Sequence, residues 1–268
     1  MDLNPQSTVT LHTGRKMPVI GLGTWKLTDN TAEDVEFAIN LGYRMIDTSG
    51  DYGTEPGIAE ALAQAGVDRP SLYLVTKVEE YENAYESAQK NVSELQLGSA
   101  DLILIHRPPM NGAGEALWEG LVRAQDKGIA RDIGVSNYSI DQIRQLHEST
   151  GVMPSVNQIE WTPFGYSSEM LEFCKNNRII IQAYSPLTRA QRLDDETVTE
   201  IGRHYNKTPA QILLRWNLQI GTVPLPKAAD HDHMRENIDI FDFELNSDDL
   251  HRLNNLNESY SALGGLQY

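Results

Sequence analysis

The stretch DLILIHRPP, Asp101 to Pro109, decides how the chain folds. Leu102, Ile103, Leu104 and Ile105 follow one another without polar alternation, the pattern of a strand covered on both faces inside a parallel sheet. The imidazole of His106 and the guanidinium of Arg107 come next, and Pro108 and Pro109 end the strand. A buried strand that delivers titratable groups at its C-terminal end raises the question of what meets them there.

Outward from this stretch, helix-period segments and apolar strands alternate along the chain. TAEDVEFAINLG leads to YRMID, EPGIAEALAQAG to LYLVTK, YENAYESAQKNVSELQLG to DLILIH, and EALWEGLVRAQDKG to ARDIGVS. SIDQIRQLHESTG then leads to PSVNQIE, SEMLEFCKNN to RIIIQAYSP, and a longer helical region from DDETVTEIGRHY to PAQILLRWNLQ leads to GTVPLP. With VIGLG as the first strand, eight strands each followed by helix predict an α/β fold, a (β/α)8 TIM barrel. The Thr-Gly pair in STVTLHTGRKMPVIGLG predicts an N-terminal β-hairpin ahead of it. Gly42, Gly66, Gly98, Gly128, Gly151 and Gly221 stand where left-handed helix ends are expected. No linker or low-complexity stretch interrupts the alternation, so a single domain over residues 1–268 is expected.

Composition narrows the function classes. Lys and Arg number 22 against 38 Asp and Glu, and the resulting charge of −16 argues against nucleic acid, anionic lipid surfaces and polyanionic partners. There is no signal-like start and no apolar run near the roughly 20 residues that cross a bilayer, so a cytoplasmic location is expected. The single cysteine, Cys174, excludes an intramolecular disulfide and reads as a packed helix residue.

In a barrel of this kind the chemistry sits at the C-terminal ends of the strands. The second strand ends in Asp47, with Tyr52 five positions on in DTSGDYGTE; the third ends in Lys77 and the fourth in His106. A phenol is a weak acid near neutrality, and a neighbouring ammonium eases its ionisation, so Lys77 is expected to assist Tyr52 while Asp47 keeps Lys77 charged and oriented. His106 would orient a carbonyl oxygen or pass a proton.

With these four residues in this chain order, and with GLGTWKL, GVSNY (Gly134–Tyr138), NQIEWTP (Asn157–Pro163), AYSPL (Ala183–Leu187) and FDFEL (Phe241–Leu245), the chain resembles the aldo-keto reductase family almost to its C-terminus. The resemblance implies reversible, metal-free reduction of aldehydes or ketones by NAD(P)H, with Asp47, Tyr52, Lys77 and His106 as the catalytic set. It implies NADP(H) as cofactor by family default, with NAD(H) use open. It also implies cofactor contacts from Ser136, Asn137 and Gln158 to the nicotinamide carboxamide, from Tyr184 stacked on the ring, and from Asp47 near the ribose. Thr24 and Trp25 fall at the pocket wall and Leu187 near the pyrophosphate; Ser185, Lys227, His233, Glu236 and Asn237 complete the cofactor set. Substrate would meet Trp25, Tyr52, His106 and Arg107. The expected partner is a small carbonyl compound, with the protein a monomer or weak homo-oligomer.

Several positions depart from the family pattern. Thr188 follows Leu187 where a glycine is usual, and Arg107 and Glu79 replace aromatics beside His106 and after Lys77. Arg107 and Glu79 are expected either to form an ion pair across the rim, or to leave Arg107 facing an anionic substrate end. In PKAADHDHMREN, Lys227 is kept, but Ala228 lacks a hydroxyl and His233 stands where relatives that prefer NADPH place an arginine. A weak preference for NADPH or dual use is therefore expected, unless Arg235 or Arg189 replaces the missing cation. The short tail NESYSALGGLQY suggests an open pocket. Two rivals stand against this reading: a metallohydrolase built on His231 and His233 of HDH, whose side chains would diverge at a helix start, and a catalytically weak, nucleotide-sensing scaffold.

Overall fold

The computed structural model describes residues 3–66, 69–266 and 268. A hairpin of β1 (Thr8–Thr10) and β2 (Lys16–Pro18) comes first. Eight parallel strands follow: β3 (Leu22–Gly23), β4 (Met45–Asp47), β5 (Tyr73–Val78), β6 (Ala100–Ile105), β7 (Ala130–Ser136), β8 (Val156–Glu160), β9 (Ile180–Tyr184) and β10 (Val223–Leu225). They pair in sequence order, and Gly21 N–H to Pro224 O and Gly23 N–H to Pro226 O, both 3.1 Å, join the first strand to the last. The sheet thus closes into the (β/α)8 barrel that the strand and helix periodicity predicted.

The outer layer consists of α1 (Thr31–Leu41), α2 (Glu55–Gln64), α3 (Ala84–Glu94), α4 (Glu115–Asp126), α5 (Ile140–Thr150), α6 (Ser168–Asn177), α7 (Glu196–Tyr205), α8 (Pro209–Ile220), α9 (His231–Ile238) and α10 (Ser247–Asn254). Two helices, α7 and α8, separate β9 from β10. Helix α10, capped by Asn246, has no counterpart in the sequence reading. Most of the expected glycine stops are present, but α3 ends through Gln96 at φ 54°, two residues before Gly98.

Every residue of β6 is buried, as the opening stretch required. Leu102 and Leu104 point into the barrel with Met45, Val75, Val156, Val223 and Leu225, while Ile103 and Ile105 pack beneath the helices. Leu11 and Met17 of the hairpin segment join the interior cluster and plug the N-terminal end. Access to the interior is left to the C-terminal ends of the strands, where β4, β5 and β6 deliver their polar groups.

Candidate active site

Asp47 is the last residue of β4 and Lys77 the fifth of β5, on adjacent strands whose register pairs Asp47 with Val75. Lys77 is fully buried. Its ammonium donates to Asp47 Oδ2 at 2.9 Å, Asp47 Oδ1 at 3.1 Å and the Thr48 carbonyl at 2.7 Å. Burial acts to lower the Lys77 pKa, but the charge and hydrogen bond of Asp47, with Tyr52, outweigh it and raise the value above that of a free lysine. Lys77 is therefore a buried, permanently charged ammonium.

Tyr52 stands on the loop between β4 and α2, with Lys77 Nζ 4.9 Å from its ring centroid. The loop is pinned by Tyr52 N–H to Ser49 O at 3.0 Å and by Gly50 N–H to Lys77 O at 3.2 Å. A Cβ on Gly50 would lie 2.6 Å from Asn91 Oδ1, and Asn91 Nδ2 itself donates to Lys77 O at 2.8 Å. Glycine lets the loop lie this close to the Asn91 side chain of α3. Lys77 acts on the Tyr52 phenol in the expected direction, its charge lowering the pKa, but burial acts the other way and outweighs it, so the hydroxyl remains protonated. Behind the loop, Glu55 has no hydrogen-bond partner on Oε1, and burial pushes its carboxyl up to about 7.

His106 follows β6 directly, its ring edge-on to Tyr52 with centroids 5.8 Å apart. The expected Arg107 to Glu79 ion pair is absent, and Arg107 is exposed on the rim. Glu79 turns instead to His106, with Oε1 2.6 Å from Nδ1, and accepts from Ser49 Oγ at 3.2 Å. The signal was in the strand period. Glu79 lies two residues beyond Lys77, and the register Val78 to Ile105 places it beside His106.

Asp47, Tyr52, His106 and Arg107 open onto a cleft of about 800 Å³, lined also by Trp25, Ser136, Asn137, Gln158, Tyr184, Ser185, Leu187 and Lys227, while Lys77 lies buried outside the lining. In this structure the polar side chains hold one another. Tyr184 Oη donates to Asn137 Oδ1 at 2.7 Å, Ser136 Oγ to Gln158 O at 2.7 Å, and Gln158 Nε2 to Asp47 Oδ1 at 2.7 Å. Asn137 does not cap α5; Ser139 does, with Gln142 completing a capping box. Thr24 lies outside the cleft lining, fully buried, with its hydroxyl donating to Asp47 O at 2.9 Å. His233, Glu236 and Asn237 lie outside the lining as well, and Glu236 accepts from the Thr208 hydroxyl. Thr188 has a left-handed backbone at φ 54°, an uncommon conformation for a β-branched residue. Leu263 of the C-terminal segment reaches the cleft, and the tail is tied down by Ser261 Oγ and Ala262 N–H, which donate to Glu160 at 2.6 and 2.7 Å.

The HDH segment is built for other contacts. His231 stacks on Phe37 at 3.7 Å and lies 3.3 Å from Asp34, while His233 is exposed. Among the described residues, the metal-ligand types that gather in threes are Asp51, Glu79 and His106, beside the cleft. Cys174 is packed in α6 against Met170, and burial pushes its thiol up to about 12.

Residues 19–258 match the Aldo/keto reductase family. The glyoxal reductase of Bacillus subtilis (strain 168) is 37% identical over 264 residues, covering 96% of this chain and 95% of that one. The crystal structure of a Bombyx mori aldo-keto reductase in complex with NADP is similar with a TM-score of 0.90 at 31% identity, covering 97% of this chain and 95% of that one. A point mutant of Gox0644 in complex with NADPH gives 0.88 at 34% identity, covering 94% of each chain. The chain belongs to the aldo/keto reductase family and is an oxidoreductase of that class. No helix among the described residues is long and apolar enough to cross a membrane.

Proposed function

We propose that the protein reduces aldehydes or ketones to alcohols with NADPH or NADH, reversibly, through Asp47, Tyr52, Lys77 and His106. The observation that carries this reading is that Asp47, Tyr52 and His106 line one cleft at the ends of β4 and β6, with Lys77 of β5 buried behind it and bound to Asp47. The residues present suit a nicotinamide dinucleotide. The amides of Asn137 and Gln158 and the hydroxyl of Ser136 match a carboxamide, and Lys26, Arg189 and Lys227 place cations along the cleft of an otherwise acidic chain. A bound reduced nicotinamide would supply the hydride for the carbonyl carbon. Tyr52 gives its hydroxyl proton to the carbonyl oxygen, and Lys77, held by Asp47, stabilises the phenolate left behind. His106 orients that oxygen through Nε2, since Nδ1 is committed to Glu79.

Cofactor choice turns on the start of α9. Asp230 caps this helix, accepting from Asp232 N–H at 2.8 Å and His233 N–H at 3.1 Å, so a carboxylate already occupies the first turn where a 2′-phosphate would be attracted. Arg235 is paired with Asp232 at 2.6 Å, lies over the Phe37 ring and is outside the cleft lining. Lys227 and Arg189, which do line the cleft, remain as cations for a phosphate. NADH is expected to support kcat/KM within about tenfold of NADPH, and His233→Arg to move the ratio toward NADPH by roughly tenfold or more. A preference for NADPH above about a hundredfold, unchanged in His233→Arg, would show that another cation reads the phosphate.

Arg107, free of Glu79 and exposed in the cleft lining, is proposed to meet an anionic or polar substrate end. Assays of reduced-cofactor loss with glyoxal, neutral aldehydes and keto acids test both the activity and this contact. Arg107→Ala should raise KM for keto acids roughly tenfold to a hundredfold while sparing neutral aldehydes of similar size. Equal effects on both classes would remove Arg107 from the substrate site.

A further inference from the structure

We propose that Glu79 is a positioning residue that fixes the ring proton of His106 on Nδ1, so that Nε2 donates to a substrate oxygen only when the imidazole is protonated and accepts from one when it is neutral. The inference rests on the reading of His106 as the group that faces the carbonyl oxygen.

The strands dictate the pairing. Register carries β5 past Val78 and Ile105, and His106 N–H donates to Val78 O at 2.9 Å, which brings the next residues, Glu79 and His106, side by side. Both side chains are buried, and Oε1 lies 2.6 Å from Nδ1. Glu79 lies outside the cleft lining and His106 within it, so the imidazole stands between the carboxylate and the substrate space. The charged and titratable groups around the ring are few. The β4–α2 loop brings Asp51, with Oδ1 3.7 Å from Nδ1, and Tyr52 edge-on; Arg107 follows in the chain, and Glu79 comes from the end of β5. Ser49 supplies a hydroxyl 3.4 Å from Nδ1, and Asn137 Nδ2 donates to the His106 backbone carbonyl rather than to the ring.

The protonation state of Glu79 decides what the contact can be. Burial acts to raise its carboxyl, but the hydrogen bond and charge of His106, the Ser49 hydroxyl and the charge of Arg107 outweigh it and hold the value below the usual glutamate range. An ionised carboxylate only accepts hydrogen bonds, so the proton of this contact belongs to Nδ1. A neutral ring protonated there turns a lone pair, not a donor, toward the cleft. Reduction then needs the imidazolium, whose Nε2–H donates to the carbonyl oxygen. Oxidation, the same step reversed, passes through the same imidazolium, with the Tyr52 phenolate taking the alcohol proton; a neutral ring could only accept from the alcohol hydroxyl, in competition with Tyr52.

Two measurements test this. Long-range ¹⁵N–¹H NMR of the ¹⁵N-histidine-labelled protein with NADP⁺, above the pH at which the ring loses its extra proton, should show His106 protonated on Nδ1. A ring protonated on Nε2 would overturn the proposal, and this readout stands whether or not a carbonyl is reduced. The same spectra of Glu79→Ala are the second. Without the carboxylate, an acceptor that holds the proton on Nδ1, a substantial share of the neutral rings should carry it on Nε2 instead. A wild-type share on Nδ1 would show that Glu79 only packs against the ring. An inactive wild type whose His106 still carries its proton on Nδ1 would overturn the assignment of function and leave Glu79 as the group that fixes the tautomer.

Discussion

Tyr52→Phe is expected to lower kcat for carbonyl reduction by roughly 10²–10⁴-fold, the usual contribution of a positioned general acid. The substitution keeps the ring that Lys77 and His106 flank and removes only the hydroxyl. Burial holds that hydroxyl protonated despite Lys77, so it enters the reaction as an acid with its proton in place. Dinucleotide affinity, measured by quenching of protein fluorescence, should stay within a few-fold of wild type, because the proposed contacts come from other strands. Retention of more than about a tenth of the wild-type turnover would remove Tyr52 as the proton donor.

Lys77→Met is the second change with a large expected effect, and it acts on stability as well as rate. The wild-type ammonium is completely buried and donates to both Asp47 oxygens and to Thr48 O. Methionine fills a similar volume but leaves Asp47 with Gln158 Nε2 as its remaining side-chain donor. Breaking one side of a buried ion pair costs about 3–5 kcal/mol, because the surviving charge stays desolvated. Turnover should fall about as far as in Tyr52→Phe, since the phenolate formed in the reaction loses its counter-charge. Urea unfolding and steady-state kinetics separate the two effects. A variant that keeps wild-type stability and turnover would contradict both the buried pair and its assistance to Tyr52.

The fold was legible because its signal is local and repeated. Unbroken apolar runs such as Leu102–Ile105 mark strands covered on both faces, and several of the helices between them end at a left-handed glycine. The grouping of Asp47, Lys77 and His106 was legible for a related reason: each stands at or just beyond the end of a strand, and the barrel gathers those ends. What escaped depends on partners distant in sequence or on competition between forces. Glu79 reads as one half of a rim ion pair until register shows His106 beside it. At Tyr52 a sequence shows the cation nearby but not the burial that outweighs its pull on the pKa. Thr24 carries a family motif, yet its hydroxyl is consumed by the backbone of Asp47, which no local pattern announces. At α9, the capping role of Asp230 follows from a turn geometry that composition alone reduces to one more negative charge.

The central claim is direct hydride transfer to a carbonyl carbon in the cleft at the ends of β4, β5 and β6. It is tested most directly by following deuterium from NADPH stereospecifically deuterated at C4 of the nicotinamide, with an aldehyde substrate in the presence of a chelator. The account predicts one deuterium on the carbinol carbon of the product from one of the two C4-labelled isomers, and none in Tyr52→Phe beyond its residual turnover. Cofactor oxidation without deuterium in the alcohol, or no cofactor oxidation with any aldehyde, ketone or keto acid, would contradict it.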